Sequence, residues 1–292
     1  MSLSGLVLLF ITLNIYSNSF GLYLNTLDTK RIYIDERTTK HLFTYKYIPN
    51  NFDSVLIGPS LSDIEMDTKK LKGFKVYNLS LNSGNISELK ILVENIIKTK
   101  KLKSIIICID PYILKDSGKK TSKINDYEIY SSLGSMLNIK LYLYKLFYDL
   151  NLKYDIYSNS EYGYRKNDYG LSFKDEDVLK KEKKISIDKT AFLELINLLQ
   201  KLRKQNTKIF AYYYPRYHLE FKNVIYKKQY DKFVKTIDKL FTDEDVVWDF
   251  NDEKYSYIFK KKSSYSDGVH LSKDGAKKIL EVISSKLKEN ND

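Results

Sequence analysis

Three side chains, at two places in the sequence, could together carry out nucleophilic chemistry. Ser60 follows a short apolar run, and Asp267 and His270 share one predicted turn near the C-terminus. A serine hydroxyl is a weak nucleophile until an imidazole accepts its proton and a carboxylate holds that imidazole in the correct tautomer. The sequence therefore offers a Ser-His-Asp triad in which Ser60 attacks, His270 accepts the proton and Asp267 orients His270. Taken singly, Ser60 is also a suitable helix N-cap, and Asp267 with His270 could form an ordinary exposed turn.

The elements that must position these residues alternate between short apolar runs and amphipathic segments. Five runs predict strands, and their near-continuous hydrophobicity is typical of strands buried on both faces of a parallel sheet. These runs are residues 53–58, 75–81, 103–110, 208–214 and 245–250. Apolar residues at helical spacing predict helices over 86–97, 187–203 and 276–287, the first with Asn85 and Glu88 at capping-box spacing. We therefore expect an α/β fold, a three-layer α/β/α sandwich around a five-stranded parallel sheet.

The connection between the third and fourth predicted strands is far too long for a simple crossover. It runs from Asp110 to Lys208 and has helical patterns at about 135–150 and 187–204. Residues 113–185 therefore form a long insertion after strand 3. Because ligands bind at the carboxyl ends of the strands in open α/β sheets, a substrate-facing lid is one interpretation, and a disordered segment is the other.

The first 27 residues contain no charged side chain, and the first charge is that of Asp28. The strongly apolar stretch 6–15 has the length of a signal-peptide core, but no basic residue precedes it, and apolar residues after it approach the length of a spanning helix. Residues 1–27 are thus predicted to be a signal peptide or a membrane anchor, with a buried soluble helix as the third interpretation. Either of the first two places a single domain, residues 28–292, in the extracytoplasmic cell envelope, anchored or secreted.

Charge and cysteine content exclude several classes of protein. The formal net charge is +12, but lysines alternate with acidic residues along most of the chain, so the sequence does not predict a nucleic-acid partner. Cys108 is the single cysteine, which excludes a disulfide framework and a cysteine-rich metal site. The histidines, His41, His218 and His270, show no metal-ligand spacing, and we expect neither a metal nor another cofactor.

Three segments, taken in order, resemble the SGNH or GDSL hydrolase superfamily. Residues 58–60, Gly-Pro-Ser, are similar to the family's Gly-Asp-Ser turn after the first strand, and residues 78–84 are similar to its glycine-containing second block. Residues 267–270 are similar to its Asp-x-x-His motif before the last helix, which is the most specific match. In the third block the chain departs from the pattern: residues 108–112, Cys-Ile-Asp-Pro-Tyr, replace a Gly-x-Asn-Asp segment and lack its side-chain oxyanion donor.

This resemblance spans residues 53–287 and implies the flavodoxin-like SGNH fold with Ser60, His270 and Asp267 as the catalytic residues. An oxyanion hole would then form from the amides of Ser60 or Leu61 and of Gly84, helped by Asn82 or Asn85. Asp110 would lie near the site, either as a cap at the strand end or as a substrate contact. The chain looks like a divergent, membrane-tethered bacterial subgroup that is often associated with the modification of surface polysaccharides.

Two hypotheses from different classes follow. The first is a serine esterase or O-acyltransferase that acts on acetyl esters of a cell-surface glycan. The second is a catalytically silent SGNH-like domain that binds a glycan or an envelope partner, as the altered first and third blocks suggest. Loss of one oxyanion donor typically slows such enzymes roughly 100- to 1000-fold, which weakens the first hypothesis without excluding it.

Overall fold

The computed structural model describes residues 2–17, 21–22, 31–32, 36–115, 143–144, 146–147, 150, 152, 158–159, 161–165, 173–180 and 184–289. Its main sheet has five strands: β1 Ser54–Ile57, β2 Val76–Asn78, β3 Ser104–Ile109, β4 Lys208–Tyr213 and β5 Val246–Asp249. The strand order is β2-β1-β3-β4-β5, and all neighbouring strands are parallel. The predicted parallel sheet is confirmed, although each strand is shorter than the apolar run that predicted it. This order is that of flavodoxin-like sheets, which bind ligands where the strand order reverses, at β1 and β3.

The helices of the described residues supply the outer layers. They are α1 Leu3–Ser17, α2 Glu36–Phe43, α3 Tyr47–Asn51, α4 Ser60–Asp63, α5 Ile86–Thr99, α6 Asp175–Lys180, α7 Lys189–Lys204, α8 Val224–Ile237, α9 Ser256–Phe259 and α10 Lys273–Glu289. Helices α5, α7 and α10 confirm the three predicted from apolar spacing. The predicted capping box is also present, because the Asn85 side chain accepts a hydrogen bond from the Glu88 amide and the Glu88 carboxylate accepts one from the Asn85 amide.

Two hydrophobic clusters cover the two faces of the sheet, because successive side chains of a strand point to opposite faces. Val55 and Ile107 belong to the cluster that includes the apolar faces of α5, α7 and α8. Leu56 and Ile106 belong to the other cluster, which includes Leu61 of α4 and the apolar face of α10. The molecule is therefore the expected three-layer α/β/α sandwich.

Only part of the long insertion is described. The helix predicted at 135–150 lies outside the described residues except for 143–144, 146–147 and 150. The described parts include a 3-10 helix, Pro111–Leu114, the segment 161–165 and α6. Residues 158–159 pair antiparallel with residues 31–32. Each of these parts precedes α7, so the insertion follows β3 as expected.

The N-terminal helix α1 is apolar along its length, and its large side chains, among them Leu3, Val7 and Leu8, are exposed. Within the residues that the structure describes, no helix has both the length and the hydrophobicity needed to cross a membrane. The signal peptide or anchor over residues 1–27 stays a prediction.

Candidate active site

Ser60 lies in a tight turn at the carboxyl end of β1. It is the first residue of α4, and Pro59, with extended backbone, occupies the N-cap position. The amides of Ser62 and Asp63 both donate to the Pro59 carbonyl, at 3.0 and 3.2 Å. Ser60 is therefore not an N-cap, the ordinary role that its residue type suggested. Its side chain is partly exposed at the edge of the sheet.

Gly58 allows this turn to pack against the neighbouring strand β3. A Cβ atom at position 58 would lie 2.2 Å from Ser62 Oγ and 2.6 Å from Cys108 Cβ. Because packed interiors leave no room for such an overlap, only glycine fits here without displacing the Ser60 turn. The first block of the resemblance thus has a steric explanation in this chain.

Asp267 and His270 lie in one loop that folds back on itself before α10. Asp267 Oδ2 is 2.7 Å from His270 Nδ1, and Asp267 Oδ1 accepts hydrogen bonds from the amides of Val269, at 2.9 Å, and His270, at 2.7 Å. Burial opposes ionisation of Asp267, but the hydrogen bonds from His270 outweigh it and hold the pKa of Asp267 well below its usual range. Asp267 is thus a carboxylate at neutral pH and is placed to orient the imidazole.

The structure brings Ser60 and this loop together from opposite ends of the chain. His270 Nε2 lies 3.1 Å from Ser60 Oγ. Because Asp267 accepts from the Nδ1 side of the ring, the neutral imidazole has an unprotonated Nε2 that faces the hydroxyl. Side-chain exposure is 22% for His270 and 45% for Asp267, so the cluster is accessible from solvent. The three residues have the geometry that a base-activated serine requires.

Tyr214, which the sequence did not single out, holds the His270 loop in place. Its buried hydroxyl donates to the Val269 carbonyl at 3.1 Å and accepts from the Leu271 amide at 2.7 Å. It therefore forms hydrogen bonds with the residues on both sides of His270. Tyr214 is the last of three consecutive tyrosines at the end of β4. Strand alternation points Tyr213 and Tyr214 to opposite faces, but only the fold tells which face meets the loop.

The amides near Ser60 divide into available and occupied donors. Those of Ser60 and Leu61 donate to no acceptor within the described part of the chain. The amide of Gly84, which we expected in the oxyanion hole, donates instead to the Leu81 carbonyl at 3.0 Å. That expectation is corrected, because a tight turn after β2 uses the donor.

The two asparagines expected to help the oxyanion hole have different surroundings. The side chain of Asn85 is used as the cap of α5. Asn82 is exposed, and its backbone is held by Glu36, which accepts from its amide at 2.9 Å, and by Arg37, which donates to its carbonyl at 2.9 Å. A role for the Asn82 side chain stays a prediction, whereas Asn85 is a capping residue.

Asp110 lies at the carboxyl end of β3, where it was expected, but it is only 2% exposed. Its carboxylate caps the 3-10 helix Pro111–Leu114 by accepting from the Tyr112 amide at 2.9 Å, and it also pairs with Arg216. Both interactions hold the carboxylate toward the protein interior. Asp110 is therefore a cap and an ion-pair partner, and the interpretation as a substrate contact is not supported.

The other histidines lie apart from the Ser60 cluster. His218 begins the 3-10 helix His218–Lys222 with its ring edge against Tyr217, and burial, together with Lys222, lowers its pKa. His41 is buried in α2, and its Nε2 lies 3.2 Å from the Tyr45 hydroxyl. Among the described side chains, no group of three or more His, Cys, Asp or Glu residues could hold a metal ion.

No protein-family model matches the chain, and no curated protein matches it. A search of solved structures finds similarity to a Streptococcus pneumoniae protein that is provisionally described as a platelet activating factor. The two chains are 11% identical with a TM-score of 0.42, over 86% of this chain and 91% of that one. A likeness this weak says nothing about the chemistry of this chain, which depends on its own residues.

Proposed function

We propose that the protein is a serine esterase or O-acyltransferase that acts through Ser60, His270 and Asp267. The observation that carries the proposal is a pair of contacts that share His270. Asp267 Oδ2 lies 2.7 Å from His270 Nδ1, and His270 Nε2 lies 3.1 Å from Ser60 Oγ. Three residue types that work as one unit meet in one place, in the order that proton transfer requires.

In the proposed reaction, Ser60 Oγ attacks the carbonyl carbon of an ester while its proton moves to His270 Nε2. Asp267 stabilises the imidazolium that forms. The negative charge on the carbonyl oxygen is met by the amides of Ser60 and Leu61, which have no other acceptor among the described residues. When the tetrahedral intermediate collapses, the alcohol leaves with the proton from His270, and the acyl group remains esterified to Ser60.

The second half of the reaction releases the acyl group. A water molecule or a sugar hydroxyl loses its proton to His270 and attacks the acyl carbon, and Ser60 leaves with that proton. Water gives hydrolysis and a sugar hydroxyl gives acyl transfer. The partly exposed cluster at the sheet edge suits either acceptor. No step requires a metal or another cofactor.

The substrate and the location belong to the same proposal. The resemblance of residues 58–60, 78–84 and 267–270 to SGNH hydrolases favours acetyl esters of a cell-surface glycan, and the uncharged residues 1–27 favour an extracytoplasmic domain that reaches the membrane through its N-terminus. Full-length protein should fractionate with membranes or be secreted, whereas residues 28–292 alone should stay in the cytosol. Identical fractionation of the two forms would contradict the location.

The second candidate is a catalytically silent domain that binds a glycan or an envelope partner. Two observations favour it: the third block lacks an asparagine donor, and the Gly84 amide is already occupied. Both reduce the number of groups that could stabilise an oxyanion.

Incubation with p-nitrophenyl acetate separates the two candidates. The proposal predicts release of nitrophenolate and an acetyl group that peptide mapping places on Ser60, with neither in Ser60→Ala. A folded protein that binds acetylated oligosaccharides but releases no nitrophenolate would support the silent domain instead.

A further inference from the structure

Behind the Ser60 turn lies a buried cluster of charged side chains that the proposed reaction does not use. Lys40 of α2 and Asp63, the last residue of α4, are both fully buried, with Lys40 Nζ 2.9 Å from Asp63 Oδ1. The second oxygen of Asp63 accepts from Arg165 Nε at 2.6 Å. Glu36, one turn before Lys40, lies 3.2 Å from the same ammonium group. Burial raises the pKa of Asp63 to about 6, although the charge of Lys40 opposes the rise.

The cluster joins the Ser60 turn to other parts of the chain. Lys40 Nζ also donates to the carbonyl of Ser80, in the loop after β2, and the hydroxyls of Ser62 and Ser80 are 2.8 Å apart. Lys40 therefore ties the loops that follow β1 and β2 to each other and to α2. These are the two loops that contain the first and second blocks of the resemblance.

Arg165 comes from the long insertion, and its backbone is paired with the chain that leaves α4. The Arg165 amide donates to the Asp63 carbonyl at 2.9 Å, and the Glu65 amide donates to the Arg165 carbonyl at 2.8 Å. Two residues earlier, Gly163 has a φ of +82°, and a Cβ there would lie 2.4 Å from the Asn78 carbonyl oxygen. Segment 161–165 is thus built closely against β2 and the Ser60 turn.

A buried ion pair is an expensive way to stabilise a fold. Replacing such a pair with apolar residues of similar volume is often neutral or stabilising, because both charges lose their hydration on burial. Charge-assisted hydrogen bonds, however, fix direction as well as distance, which apolar contacts do not. Asp63 ends the single helical turn that Ser60 begins. Its carboxylate is therefore well placed to set the orientation of that turn, and a displacement of about 1 Å in a reacting group can cost about 100-fold in rate.

We propose that Lys40, Asp63 and Arg165 are positioning residues that hold Ser60 at the distance from His270 that activation requires. In this account the insertion completes the site, because it supplies Arg165. The kinetic consequence rests on the proposed function, whereas the geometric consequence does not.

The test compares Arg165→Met, Lys40→Met and the conservative Arg165→Lys with wild type. Arg203→Met is a matched control, because Arg203, in the last turn of α7, forms a comparable partly buried pair with Asp245, which lies just before β5, at the end of the strands opposite to Ser60. The readouts are the maximal rate and the half-saturating concentration for labelling of Ser60 by a fluorophosphonate, together with the melting temperature. Arg165 is 22% exposed, so its variants should fold even if Lys40→Met does not.

We expect Arg165→Met and Lys40→Met to lower the maximal labelling rate about tenfold or more while leaving the half-saturating concentration within about twofold. Arg165→Lys should recover part of the rate, and Arg203→Met should lower the melting temperature without changing the rate. A folded Arg165→Met protein that labels at the wild-type rate would overturn the inference.

Crystal structures of wild type and Arg165→Met test the positioning role without a measurement of activity. If wild type does not label at all, the proposed function fails, and the Ser60 Oγ to His270 Nε2 distance in Arg165→Met then decides. Separation beyond hydrogen-bond reach would support the positioning role. An unchanged distance would overturn it.

Discussion

The two partners of the Ser60–His270 contact are held by opposite kinds of interaction. The helical turn that Ser60 begins ends at Asp63, whose buried carboxylate forms ion pairs with Lys40 and Arg165. Apart from Asp267, the groups that hold the His270 loop are neutral: the hydroxyl of Tyr214, bonded on either side of His270, and the compact turn at Gly268. The difference suits the proposed roles, because His270 must gain and lose a charge during the reaction and Ser60 must stay in place.

A fixed buried cation beside His270 would disfavour the imidazolium that the reaction requires, since like charges shift protonation equilibria strongly at short range. A tyrosine hydroxyl positions the loop without that effect. Asp267, the charge that does touch the ring, has the sign that favours the imidazolium. The comparison therefore predicts which substitutions affect chemistry and which affect only folding.

Among substitutions that leave Ser60 and His270 in place, the largest effect is expected from Asp267→Asn. An asparagine amide would favour the wrong imidazole tautomer and remove the charge that stabilises the imidazolium, so labelling should fall roughly 1000- to 10,000-fold. The fold should survive, because the Asp267 side chain is 45% exposed. Fluorophosphonate labelling and circular dichroism measure both quantities. Asp274→Asn, which removes another exposed carboxylate at the start of α10, should leave the rate unchanged.

Gly268→Ala should have the next largest effect. Gly268 has a φ of +80°, and a Cβ there would lie 2.9 Å from Phe173 Cδ2 and 3.0 Å from Val178 Cγ2, both from the insertion. Backbone strain of about 1 to 3 kcal/mol should lower stability, and displacement of His270 should lower labelling about 10- to 100-fold.

Gly73→Ala provides the control for Gly268→Ala. Gly73 also has a positive φ, of 105°, but it lies shortly before β2, at the amino end of the strands, whereas Ser60 and its contact with His270 lie at the carboxyl end. Its substitution should reduce stability and leave the labelling rate per folded molecule unchanged. Equal labelling rates for Gly268→Ala and Gly73→Ala would show that the loop does not position His270.

Tyr214→Phe and Tyr213→Phe form a matched pair, because Tyr213 ends β4, Tyr214 follows it directly, and the two side chains belong to the clusters on opposite faces of the sheet. Tyr213 donates to Asp238 at 2.7 Å, away from the site. Each substitution removes a buried hydroxyl and should cost about 1 to 3 kcal/mol of unfolding free energy. Only Tyr214→Phe should also slow labelling, by about tenfold. Equal labelling rates in the two variants would show that Tyr214 does not position His270.

The smallest expected effect is the pH dependence of the stability that Asp63 and Asp267 contribute. It is measured as the unfolding free energy of wild type relative to Asp63→Asn and to Asp267→Asn. The pKa of Asp63 is raised to about 6 in the folded state by burial, so its favourable contribution is present at low pH and is lost as pH rises through 6. The pKa of Asp267 is lowered by the hydrogen bonds from His270, so its contribution is present at neutral pH and is lost only in acid, below the ordinary aspartate range.

Between about pH 5 and pH 8, wild type should therefore lose stability relative to Asp63→Asn. The Asp267 carboxylate stays ionised throughout this window, so its own titration contributes no change in stability. A gain of stability relative to Asp63→Asn over the same range would mean that the ion pairs outweigh the cost of burial.

The sequence predicted the sheet and the grouping of Asp267 and His270 beside Ser60, because both leave local signals. Continuous apolar runs mark buried parallel strands, and Asp267 and His270 lie close together in one turn. The supports of the site left no such signal. Tyr214 is one of 26 tyrosines, and Lys40 is one of many lysines in a chain with 49 basic residues. Their roles depend on contacts between residues far apart in sequence, such as Asp63 with Arg165.

The parts of the oxyanion prediction that concern Gly84 and Asn85 failed for a different reason. Gly84 was assigned by resemblance, but the chain turns so tightly after β2 that its amide bonds to Leu81. Asn85 had two roles open to it, and the capping-box spacing with Glu88 identified the one it takes. A motif gives the residue type and the order, whereas the use of each donor follows from local backbone geometry.

The most direct test of the central claim is the rate at which a fluorophosphonate labels Ser60 in wild type and in His270→Ala. We expect wild type to label about 1000-fold faster than His270→Ala, or more, at neutral pH. The wild-type rate should fall as the solution is acidified, because an imidazole accepts a proton only when it is neutral. Ser60→Ala should not label. If folded wild type labels no faster than His270→Ala at any pH from about 5 to 9, Ser60 is not activated, and the silent binding domain is the better account.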